Sequence, residues 1–352
     1  MSKRLAALRS LLTEQNLAAV IVAKPENRLY LSGFTGSAGF LLVGLNTAKL
    51  ITDFRYVEQA TRQAPDFTIV RHGADIYETL AAEIKAIGGK RIGFESDFAT
   101  WDAYRRMAEF GGELMPLHLD KLRMVKDEAE LGALRRAVRI ADDAFTHILP
   151  YIRPGISEQD VALEMEYFMR RQGAEKMAFE IIVASGERSA LPHGRASTKT
   201  IAAGDFVTMD FGAVYGGYHS DITRTVVVGK ATSRQREIYR LVLMAQMAGL
   251  AAVAPGRICR EVDADARKVI IDAGYGEYFG HGLGHGVGLA IHEEPRLSPV
   301  CDVVLAPGMT VTVEPGVYIP DWGGVRIEDT VVVTATGVEI LTASGKELIE
   351  LS

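Results

Sequence analysis

Cysteine is nearly absent: Cys259 and Cys301 are the two in 352 residues, with no C-x-x-C spacing. That excludes a disulfide framework and a thiolate metal site as readings of the chain. There is no excess of basic charge either. The formal net charge is −6, so nucleic acid is not an expected partner. Long apolar runs are missing too. The most apolar stretch, "LVLMAQMAGLAAVA" at 241–254, is too short to span a bilayer and contains Gln246 and Gly249; it reads as a core helix. The N-terminal "MSKRLAALRSLLTEQNL" spaces Leu5, Leu8, Leu11 and Leu12 helically between charged residues, an amphipathic helix rather than a secretory signal. What is left is the composition of a soluble globular protein, 48% hydrophobic and 24% charged, with the cytoplasm as the expected compartment and no membrane partner.

Residues 1–120 alternate short β-like runs ("AAVIVA", "GFLLVG", "KLITD", "FTIVRH", "RIGFES") with amphipathic segments. That is an α/β pattern. The long helical stretch that opens at "MVKDEAEL" places a domain boundary near residue 120, with "PLHLDKLR" as the link and 121–352 as the second domain. In that second part, helices are expected at about 127–149, 157–172, 233–254 and 260–273. They separate β-rich blocks at 178–228 and 303–342.

The two β blocks echo each other. Gly204, Val207, Thr208, Asp210 and Gly212 match Gly308, Val311, Thr312, Glu314 and Gly316 at a constant offset. Asp221, Thr223 and Val226 match Glu328, Thr330 and Val333 at an offset three residues larger, the extra residues falling in the turn. Each block reads as a β-hairpin with one carboxylate per strand, and the pair as a duplicated half-domain with pseudo-twofold symmetry. With Gly216-Gly217 as a two-residue turn, Asp210 faces Thr223 and Asp221 is its diagonal neighbour. Such neighbours stand roughly 7–8 Å apart, within reach of a shared ion. Two facing hairpins would gather four carboxylates, whose repulsion two divalent cations would cancel.

Of eight histidines, three fall within "FGHGLGHGVGLAIHEEPRLSP": His281, His285 and His292. A fourth, His193 in "LPHGR", precedes the first hairpin. The cluster fits neither the HExxH zinc motif nor the GxGxxG dinucleotide loop. Imidazole suits both metal ligation and proton transfer near neutral pH.

The ordered set PHG (192–194), MDFG (209–212), SDITRT (220–225), GHGVG (284–288), IHE (291–293), VEPG (313–316) and RIED (326–329) resembles the pita-bread metallopeptidases. Within these it is most similar to the Xaa-Pro dipeptidases (prolidases) and aminopeptidase P. The resemblance implies a C-terminal pita-bread domain behind a creatinase-like N-terminal α/β domain. It implies two divalent ions of Mn²⁺, Co²⁺, Fe²⁺ or Zn²⁺ character. Asp210 would bind one ion, His285 and Glu314 the other, and Asp221 and Glu328 both. It further implies Glu314 as general acid–base, His292 and His193 at the reacting carbonyl, His281 lining the pocket, and Arg326 or Arg296 on a substrate carboxylate. The substrates would be peptides with proline second, and the assembly a homodimer. Aminopeptidase P activity on longer Xaa-Pro-Yaa peptides is the alternative, and a non-catalytic binding module on the same fold the remote one.

Overall fold

The computed structural model describes residues 3–352, which divide into two compact units, one ending at Arg123 and the other beginning at Met124. The first is built on a six-stranded sheet ordered Thr68–Arg71, Ala48–Thr52, Phe40–Gly44, Ala19–Val22, Arg91–Glu95, Glu113–Leu117. The two pairings made by Phe40–Gly44 are antiparallel, and the other three are parallel. Helices Ile76–Ile87 and Trp101–Ala108 pack on the sheet through Leu80, Ile84 and Met107. All five strands expected from the sequence are present. The sixth, "ELMPL", was not expected: its burial does not alternate, and Pro116 disfavours a strand. It forms because it lies at the sheet edge, where a missing N–H costs least.

In the second unit, the four expected helices occur at Glu128–Ile148, Glu158–Arg171, Ser233–Ala252 and Cys259–Asp272. The first three open with a complete capping box, from Asp127, Ser157 and Thr232. Helices one and two share a core with the strands Ile182–Ser185, Phe206–Phe211 and Ile222–Val228. Helices three and four pack against Thr310–Val313, Gly316–Ile319, Gly323–Arg326 and Asp329–Val333.

The halves repeat each other in backbone as well as in sequence. Each helix pair is joined through a Pro-Gly step, Pro154-Gly155 or Pro255-Gly256, whose glycine has a φ of 90° or 85°. Backbone bonds Glu158 N to Lys199 O and Gln159 N to Ser197 O have counterparts in Cys259 N to Val303 O and Arg260 N to Cys301 O. In this correspondence Cys259 stands where the first half has Glu158, and Cys301 where it has Ser197. The Cys259 thiol contacts the Cys301 side chain and is pushed up to about 12, mainly by burial; both cysteines are free thiols.

Candidate active site

The first hairpin turns at Gly216 and Gly217, with φ of 58° and 80°. Positive φ at both central residues is what a tight, strand-matched turn requires. Its register sets Asp210 opposite Thr223 and Phe211 opposite Ile222, which leaves Asp221 diagonal to Asp210. The second hairpin differs. Val313 pairs with Asp329 and Gly316 with Arg326, so Glu314 and Glu328 stand directly across from each other. Its register is displaced by two residues from that of the first, which the sequence echo did not anticipate. The echo aligns residue types along each strand but carries no information on which residues pair.

The histidine-rich segment, which lies outside the two β-rich blocks expected from the sequence, contains two short strands, Gly284–Gly286 and Glu293–Leu297. They pair with each other, His285 against Arg296, and Gly286 pairs with Val311 of the second hairpin. Gly284 is needed there: a Cβ on it would lie 2.0 Å from the Thr312 carbonyl oxygen. So few residues, with glycine in most alternate positions, show no strand periodicity in sequence.

These elements surround one cavity of about 700 Å³. It is lined by Asp210, Asp221, His285, Glu314 and Glu328, and also by His193, His281, His292, Arg296 and Arg326. Every residue singled out from the sequence therefore reaches the same space. Carboxylate oxygens of Asp210, Asp221 and Glu328 lie within 4.8 Å of one another. His285 Nε2 is 3.3 Å from Glu314 Oε1 and 3.5 Å from Asp221 Oδ2.

The electrostatics are unfavourable without a cation. Burial, and then the charges of Glu328, Asp210 and Glu314, push the Asp221 carboxyl well above its usual range. Glu328 is raised likewise by burial and by Glu314 and Asp210. Two buried oxygens, Asp210 Oδ1 and Glu328 Oε1, have no hydrogen-bond partner among the described residues. Such atoms are costly unless something positive meets them. His285 uses Nδ1 on the Gly286 carbonyl, 3.0 Å away, leaving Nε2 turned toward the carboxylates. Oxygen donors with one imidazole, partly unpartnered and mutually repelling, fit divalent transition-metal ions.

Around the carboxylates the side chains are held by one another. Arg326 is buried and donates to Thr223 Oγ1 (3.0 Å), the Pro192 carbonyl (3.1 Å), Tyr318 Oη (2.8 Å) and Asp210 Oδ2 (2.7 Å). Tyr318 Oη donates in turn to His281 Nε2 at 2.9 Å, because His281 Nδ1 is committed to the Gly282 carbonyl at 2.8 Å. His281 thus uses both nitrogens on the protein, and burial holds its pKa below the ordinary value. His292 packs edge-on to His285, ring centroids 4.4 Å apart. Burial and the neighbouring His285 and Arg296 bring it down to about 4, so it is neutral at pH 7. Arg296, on the cavity wall, is exposed.

Sequence reasoning missed Tyr318, which lies two residues beyond Gly316 in "VEPGVYIP" and carries no motif of its own. It also missed Phe179 and Ile182, which with Ile291 of the IHE motif give the cavity its apolar wall.

Residues 132–335 match the description "Metallopeptidase family M24", and residues 4–125 match "Creatinase/Prolidase N-terminal domain". The chain belongs to metallopeptidase family M24. An M24 relative, the Xaa-Pro dipeptidase of Pyrococcus furiosus, is 41% identical over 312 residues, covering 88% of each chain. Among solved structures, the Xaa-Pro dipeptidase from Bacillus anthracis superposes with a TM-score of 0.97 at 50% identity, covering 99% of both chains. The X-Pro aminopeptidase from Thermotoga maritima superposes with a TM-score of 0.90 at 38% identity, covering 98% of this chain and 99% of that one. The M24 assignment agrees with the carboxylate cluster, since this family of metallopeptidases works with divalent metal.

Proposed function

We propose that this M24 chain hydrolyses the peptide bond between a first residue and proline, with Xaa-Pro dipeptides as its substrates. The observation that carries the reading is the buried cluster of Asp210, Asp221, Glu328 and Glu314 around His285, with two oxygens unpartnered. The dipeptidase relatives support the substrate class. The cluster would hold two divalent ions (Mn²⁺, Co²⁺, Fe²⁺ or Zn²⁺), Asp210 on one, His285 and Glu314 on the other, Asp221 and Glu328 on both. When bound, such ions acidify water and so supply a hydroxide nucleophile at neutral pH.

The side chains do the rest. Glu314 accepts the water's proton and passes it to the leaving proline nitrogen. Neutral His292 donates a hydrogen bond to the carbonyl oxygen as it gains charge, and His193 to the substrate backbone. Phe179, Ile182 and Ile291 offer the apolar surface that a proline ring needs. Of the two arginines, Arg326 is committed to Asp210, Tyr318, Thr223 and Pro192. Arg296 is therefore the group that grips the dipeptide's free carboxylate.

The test is hydrolysis of Ala-Pro against Ala-Pro-Ala after Mn²⁺ or Co²⁺ loading, and again after chelation. Chelator-sensitive cleavage of Ala-Pro alone is expected. Preference for the tripeptide would replace this reading by aminopeptidase P activity, which the Thermotoga maritima structure keeps in view. No cleavage of either by metal-loaded protein would leave a binding module. The chain is further proposed to act in the cytoplasm as a homodimer. A monomer at micromolar concentration in sedimentation would remove the dimer.

A further inference from the structure

His193 stands on the cavity wall, exposed, and among the described residues its imidazole has no hydrogen-bond partner. With no hydrogen bond to its ring among the described residues, its position depends on the backbone that carries it. That backbone is the segment from Ser185 to Ser197, which leaves the strand Ile182–Ser185 beside Asp210. Both ends of the segment converge on one side chain, Glu158, in the first turn of the helix Glu158–Arg171 and completely buried.

Glu158 Oε1 accepts from the Ser185 N–H and hydroxyl, both at 2.8 Å. Its Oε2 accepts from the Ser197 N–H at 3.0 Å, the Ser197 hydroxyl at 2.6 Å and Arg188 Nη1 at 2.5 Å. Arg188 then reaches across the segment, Nη2 donating to the Arg195 carbonyl at 2.9 Å. The Arg195 N–H meets the His193 carbonyl, also at 2.9 Å. On the other side of His193, the Pro192 carbonyl is fixed by Arg326, which also holds Asp210. Five donors meeting on one carboxylate call for a group that only accepts. A glutamine would turn an N–H₂ toward donors and lose at least one contact.

We propose that Glu158 is a positioning residue for the reaction, holding His193 in place through the Ser185–Ser197 segment. The inference rests on the role assigned to His193 above. The repeat supports its being specific to this segment. The second half has Cys259 and Cys301 at the equivalent positions, and a thiol cannot gather five donors.

The test is a double-mutant cycle in the Mn²⁺-loaded enzyme with Ala-Pro, using Glu158→Gln, His193→Ala and both together. Glu158→Gln should lower kcat about a hundredfold, the scale for misplacing a catalytic group by an ångström, with KM and metal content little changed. In the His193→Ala background it should cost almost nothing more. Independently of activity, amide hydrogen exchange across residues 186–196 of the metal-free protein should speed up in Glu158→Gln. If that variant does not fold, Ser197→Ala removes a single donor and should show a smaller loss with the same non-additivity. A loss that persists undiminished in the His193→Ala background overturns the inference, as does unchanged exchange in a folded Glu158→Gln protein. Full activity in His193→Ala would instead overturn the role given to His193, while the exchange measurement still reports whether Glu158 holds the segment.

Discussion

Arg326 sits beside the carboxylates with Thr223, Pro192, Tyr318 and Asp210 as its four partners. From the sequence, a basic residue two positions from Glu328 reads equally as a contact to a substrate carboxylate or as a partner of the metal carboxylates. In the structure its guanidinium donates to Asp210. Arg326→Lys cannot reproduce that fork, and kcat/KM should fall about 10- to 100-fold, the range for losing a partner that orients a metal ligand. Arg296→Met should behave differently. It should raise KM for Ala-Pro with kcat little changed, and leave a C-terminally amidated Ala-Pro unaffected; equal losses on both substrates would refute the carboxylate contact. Asp221→Asn should prevent binding of two ions and abolish hydrolysis. Metal analysis together with kcat/KM checks it, and near-wild-type activity would remove Asp221 from the ligand set.

At the scale of elements, the first unit offers a test unconnected with catalysis. Asp120 accepts from Lys24 Nζ at 2.5 Å and Asn27 Nδ2 at 2.9 Å, and pairs with Arg123 at 3.0 Å. It ties the helix Pro25–Ser32 to the turn Asp120–Arg123. Burial alone would raise its pKa, but Lys24, Arg123 and Asn27 outweigh that and lower it. A carboxyl depressed in the folded state contributes stability above its unfolded value of about 4 and loses it as pH falls through the folded value. Asp120→Asn should therefore cost about 1–3 kcal/mol at pH 7, and the deficit should shrink as pH falls below about 4. Chemical denaturation at pH 7 and pH 3 measures it, and an equal deficit at both would contradict the assignment. Elements with strong periodicity or caps, such as the helix opened by Asp127 and Glu130, were legible in the sequence. The first hairpin's register was legible too, because two glycines fix a two-residue turn. The strands around His285 were not, and neither was the pairing of Glu314 with Glu328. Both depend on which backbone lies alongside, and no local residue pattern records that.

Taken as a whole, the molecule should respond to metal in its stability as well as its activity. The raised carboxyls of Asp221 and Glu328 reflect burial first, and then the repulsion of neighbouring carboxylates, at the junction of the two hairpins. A cation that binds only the folded state stabilises by mass action, about 2.7 kcal/mol at a hundred times its Kd. Saturating Mn²⁺ should raise the Tm of the metal-free protein by several degrees and a chelator should reverse it; Asp221→Asn should blunt the rise. A Tm unmoved by any divalent ion would argue that the cluster does not hold metal. At this scale the duplication and the place of His193, in its PHG motif, were visible in the sequence, whereas the convergence of Tyr318 on the cavity was not, since it comes from a segment without a motif at that position.

The two-residue difference in register between the hairpins has a bearing on the direction of the bound peptide. A dimer of two identical halves would have a true axis running through its carboxylates, and a peptide laid across that axis would meet the same groups in either direction. Here one hairpin sets its acids diagonally and the other sets them face to face, and His285 is carried by a strand paired with the second hairpin. The axis survives in the backbone and is broken among the side chains. That broken symmetry gives the cavity a head and a tail, so a chain that reads from amino to carboxyl end can be held one way round.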